Sequence, residues 1–198
     1  MSFWLRLSAA IDAVNRRVGL GVSWLILVMT LVSAFNAISR KLFSVSSNAF
    51  LEIQWYLYAA VFLLAAGYTL LSNEHVRVDI LNTRFAARGR LWIELFGTIF
   101  FLVPFTLLIL WYGWPYFAMS FASREVSLQA GGLILWPVKL LIPLGFLLLF
   151  LQGASQAVKL IAVLSGRQAA EPLLERHSAQ DDEVKALLRE RPHDGSAD

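Results

Sequence analysis

Long apolar segments alternate with short polar ones along this chain of 198 residues. Four segments, at about 18–39, 50–71, 91–116 and 137–164, are rich in apolar residues and carry few charges. A helix of about 20 apolar residues crosses the hydrocarbon core of a bilayer, which is about 30 Å thick, at about 1.5 Å per residue. The pattern therefore predicts an all-α membrane protein with four transmembrane helices.

Residues 1–17 follow a different pattern, in which apolar and polar positions fall on opposite sides of a helix. This two-sided arrangement predicts a short amphipathic helix that lies at the membrane interface. A second interfacial helix is predicted just after residue 82, where arginines alternate with apolar residues. In residues 1–17 the apolar positions are Trp4, Leu7, Ile11 and Val14, and the opposing polar positions are Arg6, Asp12 and Asn15.

Composition supports a membrane protein with a polar tail. Apolar residues make up 58% of the chain, above the 45–50% that is usual for soluble domains. Residues 167–198 are acidic and contain few bulky apolar side chains, so we expect a mostly disordered cytoplasmic tail. The chain thus divides into an interfacial helix at 1–17, a four-helix transmembrane domain at 18–166 and the tail.

Basic residues predict the orientation in the membrane. The segment before the first span carries three, the second loop four and the C-terminal end from Lys159 onward six, whereas the first and third loops share the remaining four. Because cytoplasmic loops are enriched in Lys and Arg, both termini are expected in the cytoplasm. The positive charge is explained by this topology, and we expect no nucleic acid as a partner.

Chemistry inside the membrane is not indicated. No ionisable residue lies near the predicted mid-depth of a span, where secondary transporters usually hold their substrate and ion sites. The chain has no Cys, and its three His lie outside the spans, which disfavours thiol, haem and metal chemistry. We therefore expect neither an enzyme nor a cofactor site, but a scaffold or accessory subunit. The alternative is a self-contained small transporter or channel that works as a homo-oligomer.

The polar stretch 72–82 between the second and third spans is the most patterned loop. His75, Arg77 and Asp79 alternate with apolar residues there. A solvated connector explains the pattern, and a functional signature is the alternative. His75 could sense pH, although a histidine that bonds water or a backbone group is the commoner case. Asp79 suits the N-cap of the following helix.

Two charged residues flank the first loop. Arg40 follows the first span and Glu52 opens the second, on the same side of the membrane. An ion pair between them would fasten the hairpin at the interface. Two independently solvated side chains are the alternative, and such a pair would contribute almost nothing to stability.

The chain resembles the small membrane subunit, of the DctQ type, of tripartite ATP-independent periplasmic (TRAP) transporters. The resemblance covers about 18–166 and rests on the order and spacing of four short motifs. These are Arg40 at the end of the first span, Glu52 with Trp55 and Tyr56 opening the second, EHVRVDIL at 74–81, and EVSLQAGGLILWPVKLLIPLGFLLLFLQG at 125–153.

The resemblance implies a place in a three-part importer of the bacterial inner membrane. In that family a large permease subunit holds the substrate and sodium sites, a small subunit braces it, and a periplasmic protein delivers the substrate, usually an organic acid. Arg40, Glu52, Arg124 and Glu125 would then lie on or near the periplasmic docking face. Subunit-interface or structural roles are expected for His75, Arg77, Asp79, Trp55, Tyr56 and Lys139, with membrane lipids around the bundle.

Overall fold

The computed structural model describes residues 2–43, 48–72, 87–129 and 132–166. Within these ranges the chain forms helices and one isolated antiparallel bridge, between Val126 and Ile134. The helices are α1 (Ser2–Phe43), α2 (Asn48–Ser72), α3 (Ala87–Gly97), α4 (Val103–Ser123) and α5 (Trp136–Leu164). A π-helical turn, Thr98–Leu102, joins α3 to α4 without a break. Four helical segments are long and apolar enough to cross a membrane, which confirms the predicted fold class.

The first helix is longer than expected. Sequence patterning predicts an interfacial helix that ends near residue 17 and a separate span, whereas α1 runs without a break over 42 residues. At about 1.5 Å per residue, α1 is about twice as long as the hydrocarbon core is thick. No proline interrupts it, and its first turns are held by polar contacts with α5.

The helix order follows from residue contacts along the bundle. α5 contacts α1, α2 and α4. α1 and α2 are antiparallel neighbours, with the rings of Phe35 and Phe50 5.7 Å apart near the end of α1 and the start of α2. α4 and α5 are also antiparallel, with Phe105 and Phe146 5.8 Å apart. We call the end of the bundle that carries residues 124–135 the loop end, and the opposite end the terminal end.

Glycines allow α5 to approach α2 closely. A Cβ atom on Gly145 would lie 2.6 Å from the backbone oxygen of Leu63. Gly67, one turn further along α2, lies against the side chain of Asn15 and the backbone of Leu148. Small residues let helices in lipid bring their backbones together and gain van der Waals contact.

The π-turn ends two residues before Pro104. Proline has no N–H to donate to the preceding turn, so the backbone there is released from the regular α-helical pattern. The Val103 N–H bonds the Thr98 carbonyl instead, five residues back. Pro143 and Pro115, by contrast, lie inside continuous helices. α5 thus begins at Trp136, before Pro143.

Candidate functional site

Two polar clusters hold the helices together, one at each end of the bundle. The loop-end cluster is built around Glu52, in the second turn of α2, whose side chain is buried at 7% exposure. One carboxylate oxygen accepts a hydrogen bond from the Leu133 N–H at 2.7 Å, and the other accepts one from the Ser127 hydroxyl. The Glu52 carboxylate thus replaces the water that the loop between α4 and α5 would otherwise need.

That loop has a defined shape. Arg124 ends α4 in the left-handed region, with φ of 49°, and reverses the chain. The Ser127 N–H then bonds the Leu133 carbonyl, and the Leu135 N–H bonds the Glu125 carbonyl, each at 2.9 Å. These bonds form a short hairpin-like turn.

Tyr56 fastens the same loop from α2. Its hydroxyl donates a hydrogen bond to the Ile134 carbonyl at 3.1 Å. Tyr56 follows Glu52 by one helical turn, so the two side chains reach the loop from the same face of α2. The sequence motif that begins with Glu52 therefore binds the loop to α2.

An ion pair closes the loop against α5. Lys139 contacts the Glu125 carboxylate, and its ammonium lies 4.2 Å from the centre of the Tyr116 ring. The hydrogen bond from Lys139 holds the pKa of Glu125 below its usual range. A cavity of about 360 Å³ lies beside this pair and is lined mainly by α2 and α5.

The terminal-end cluster joins the first turns of α1 to the last turns of α5. Asn15 donates a hydrogen bond to Gln152 at 2.9 Å, and Gln152 donates one to Asp12 at 3.0 Å. Asp12 also accepts one from Ser155 at 2.9 Å and pairs with Lys159. Asn15 and Gln152 are each 1% exposed, so this polar network is buried inside the bundle.

The hydroxyls of Ser8 and Ser155 add a further contact between these two helices, with their oxygens 2.6 Å apart. Ser8, Asp12 and Asn15 recur at helical spacing on α1, as Gln152, Ser155 and Lys159 do on α5. These two stripes of polar residues, one on each helix, are the pattern in the sequence from which this cluster could have been predicted.

The orientation predicted for residues 1–17 is therefore wrong on one point. Asp12 and Asn15 were expected on the polar side of a helix at the membrane interface, but they face α5. Val14, which points away from them, is 47% exposed. In lipid an apolar face gains nothing from turning inward, whereas buried polar groups need partners, so the polar face is the one that packs.

The predicted site residues have different outcomes. Glu52, Tyr56, Glu125 and Lys139 meet at the loop end, whereas Trp55 is 76% exposed, and Arg124 and Arg40 are exposed. Both Glu52 oxygens bond the loop. The ion pair between Glu52 and Arg40 stays a prediction. His75, Arg77 and Asp79 lie outside the described residues, as does the tail from residue 167.

The chemistry of both clusters is that of structural contacts. Among the described residues, no group of three or more His, Asp or Glu side chains could hold a metal ion. Each carboxylate in the two clusters receives hydrogen bonds from within the chain. These groups can fix helix positions and loop shape.

Comparison with known proteins gives one family. No curated protein and no solved structure matches the chain. The model of the DctQ component of tripartite ATP-independent periplasmic transporters matches residues 29–163, which is more than half of the chain and includes α2, α4, the loop and most of α5. The chain therefore belongs to the DctQ family and is a small permease subunit of a TRAP transporter.

Proposed function

We propose that this chain is the non-catalytic scaffold of a sodium-coupled TRAP transporter that imports an organic acid. The large permease subunit would hold the substrate and sodium, and this subunit would brace it. Family membership supports this division of labour. So does the use of Asp12 and Glu52, two carboxylates of the bundle, in contacts within the chain.

The contact between Glu52 and the loop is the observation that carries the proposal. It ties Ser127 and Leu133, on either side of this loop, to α2. A surface of constant shape suits repeated docking of a soluble partner, because little ordering entropy is lost at each encounter. We assign this surface to docking of the periplasmic substrate-binding protein.

The loop end faces the periplasm in this proposal, and both termini lie in the cytoplasm of a bacterial inner-membrane protein. The distribution of basic residues supports that orientation. Alkaline phosphatase folds to its active form only outside the cytoplasm. A fusion after Asp79 should be inactive and one after Gln129 active, and the reverse pattern would overturn the orientation.

Co-expression with a large permease subunit of the same organism tests the assembly. The tagged chain should co-purify with a much larger membrane protein, and the reconstituted pair should transport only with sodium and the binding protein present. Glu52→Ala should weaken binding-protein docking but not co-purification. A chain that transports substrate alone in liposomes would instead support the self-contained transporter.

A further inference from the structure

A groove of about 310 Å³ lies between α1 and α2 toward the loop end. Its lining is unusual for a membrane-facing surface, because four of its five residues carry uncharged polar groups. On each helix the lining residues are about one turn apart, so the groove is short. The five residues are Met29, Ser33, Gln54, Trp55 and Tyr58.

The polar groups of this groove have no partner among the described residues of the chain. Other hydroxyls on α1 behave differently. Ser23 and Thr30 donate to the carbonyl four residues back, at 3.1 and 2.9 Å, which is the usual arrangement in membrane helices. Ser33 does not. A polar group at the edge of the hydrocarbon is costly without a partner, so the groove calls for hydrogen-bonding atoms from outside the chain.

The depth of the groove indicates which atoms these are. Gln54 is two positions beyond Glu52, at the level of the loop contacts, and Tyr58 is about 6 Å deeper at about 1.5 Å per residue. Trp55 and Tyr58 are 76% and 62% exposed. Such rings are enriched where a bilayer changes from polar to apolar. The groove therefore spans the level of lipid esters and the upper acyl chains.

A cation lies above the groove on the same side of α1. Arg40 is exposed and is two helical turns from Ser33, toward the loop end. At that height a lipid carries its phosphate. From Met29 to Arg40 the protein thus presents apolar, hydrogen-bonding and cationic groups. This is the order of the acyl chain, the esters and the phosphate along a phospholipid.

We propose that the α1–α2 groove binds one glycerophospholipid. Its ester oxygens accept hydrogen bonds from the Gln54 amide and the Tyr58 hydroxyl, an acyl chain covers Met29, and the phosphate lies at the level of Arg40. A helix of a partner protein would cover more than one turn of each helix. The proposal holds whichever side of the membrane the loop end faces.

Fluorescence quenching tests the site in the purified full chain. The chain is titrated in detergent with phosphatidylglycerol or phosphatidylethanolamine that is brominated near the ester end of an acyl chain. Subtracting the signal of Trp55→Phe isolates Trp55 from the other tryptophans. A bound lipid gives saturable quenching of Trp55 at low lipid fraction. Trp111, on α4 and 77% exposed, is the matched control and should be quenched in proportion to lipid content.

Variants of the polar lining identify the contacts. Gln54→Leu should raise the half-saturation concentration about tenfold, because it removes one of the two proposed hydrogen bonds and one good hydrogen bond corresponds to about that factor. Thr30→Ala is the control, because its hydroxyl bonds its own helix. Native mass spectrometry of the unmodified chain should show a retained phospholipid.

Two outcomes would overturn the proposal. One is quenching of Trp55 that rises linearly with lipid, as for Trp111, together with no retained phospholipid. The other is protection of Trp55 from brominated lipid after co-expression with the large permease, which would assign the groove to a protein helix. Either result would leave the scaffold function untouched.

Discussion

Asn15 and Gln152 are 137 positions apart in sequence, yet the amide of Asn15 donates a hydrogen bond to the Gln152 side chain at 2.9 Å. Both side chains are buried. Hydrogen bonds between membrane helices contribute about 0.6 kcal/mol on average and up to about 1.7 kcal/mol. This contact fixes how far α1 extends along α5.

A double-mutant cycle on this pair should show coupling. Gln152→Leu should lower the free energy of unfolding by about 1–2 kcal/mol, because Asn15 and Asp12 both lose a partner. Added to Asn15→Leu, it should cost about 0.5–1.5 kcal/mol less than on its own. Unfolding in sodium dodecyl sulfate measures these changes. Ser23→Ala is the control and should be additive with Gln152→Leu; additivity of the Asn15 pair would contradict the contact.

Gly145→Ala should loosen the packing of α2 on α5. The new methyl group meets the backbone of Leu63, which cannot rotate away. Overpacking of this kind costs about 1–3 kcal/mol. Gly21→Ala on α1 is the matched control, since nothing lies within 4 Å of its added Cβ. Its helix propensity should leave thermal stability unchanged or raise it, and equal losses in both variants would argue against close packing at Gly145.

Glu52→Ala should free the loop at 124–135. Loss of both carboxylate contacts should increase trypsin cleavage after Arg124 about tenfold, because a loop opens more often when its buried anchor is removed. Ser123→Ala serves as the control, since its hydroxyl bonds only the nearby Ser120 carbonyl. Unchanged cleavage in Glu52→Ala would show that the loop keeps its shape without this anchor.

Charge reversal separates the loop contact from the predicted clamp with Arg40. An arginine at position 52 cannot accept the hydrogen bond from the Leu133 N–H, because a guanidinium group only donates. Trypsin should therefore cut the Arg40→Glu, Glu52→Arg chain after Arg124 as readily as it cuts Glu52→Ala. Partial protection in the doubly reversed chain would instead support an Arg40–Glu52 ion pair.

The loop should weaken in acid through Glu125. Lys139 lowers the pKa of Glu125, so the pair stabilises the folded chain fully when the pH is above the ordinary carboxyl value of about 4.3. The contribution falls as the pH drops below that value and is lost once it passes the lowered pKa. Melting temperature against pH, for the wild type and Glu125→Gln, measures this. The two curves should converge in acid and differ near neutral pH.

The four spans could be predicted because apolar runs of this length have few other uses. The inward polar face of α1 could not, because periodicity shows that a helix has two faces without showing which one packs. In water the apolar side of Leu7 and Val14 would turn inward, but against lipid it turns outward. The Glu52 motif was found from sequence, yet its partners Ser127 and Leu133 lie far along the chain and follow only from the fold.

The two polar clusters are separated by most of the length of the bundle, and each joins elements that are distant in sequence. Sliding α1 and α2 past the α4–α5 hairpin would require the contacts at both ends to break together. The contacts at both ends therefore resist sliding of the helices along the membrane normal. A neighbouring protein that moves in that direction would meet a surface that keeps its position.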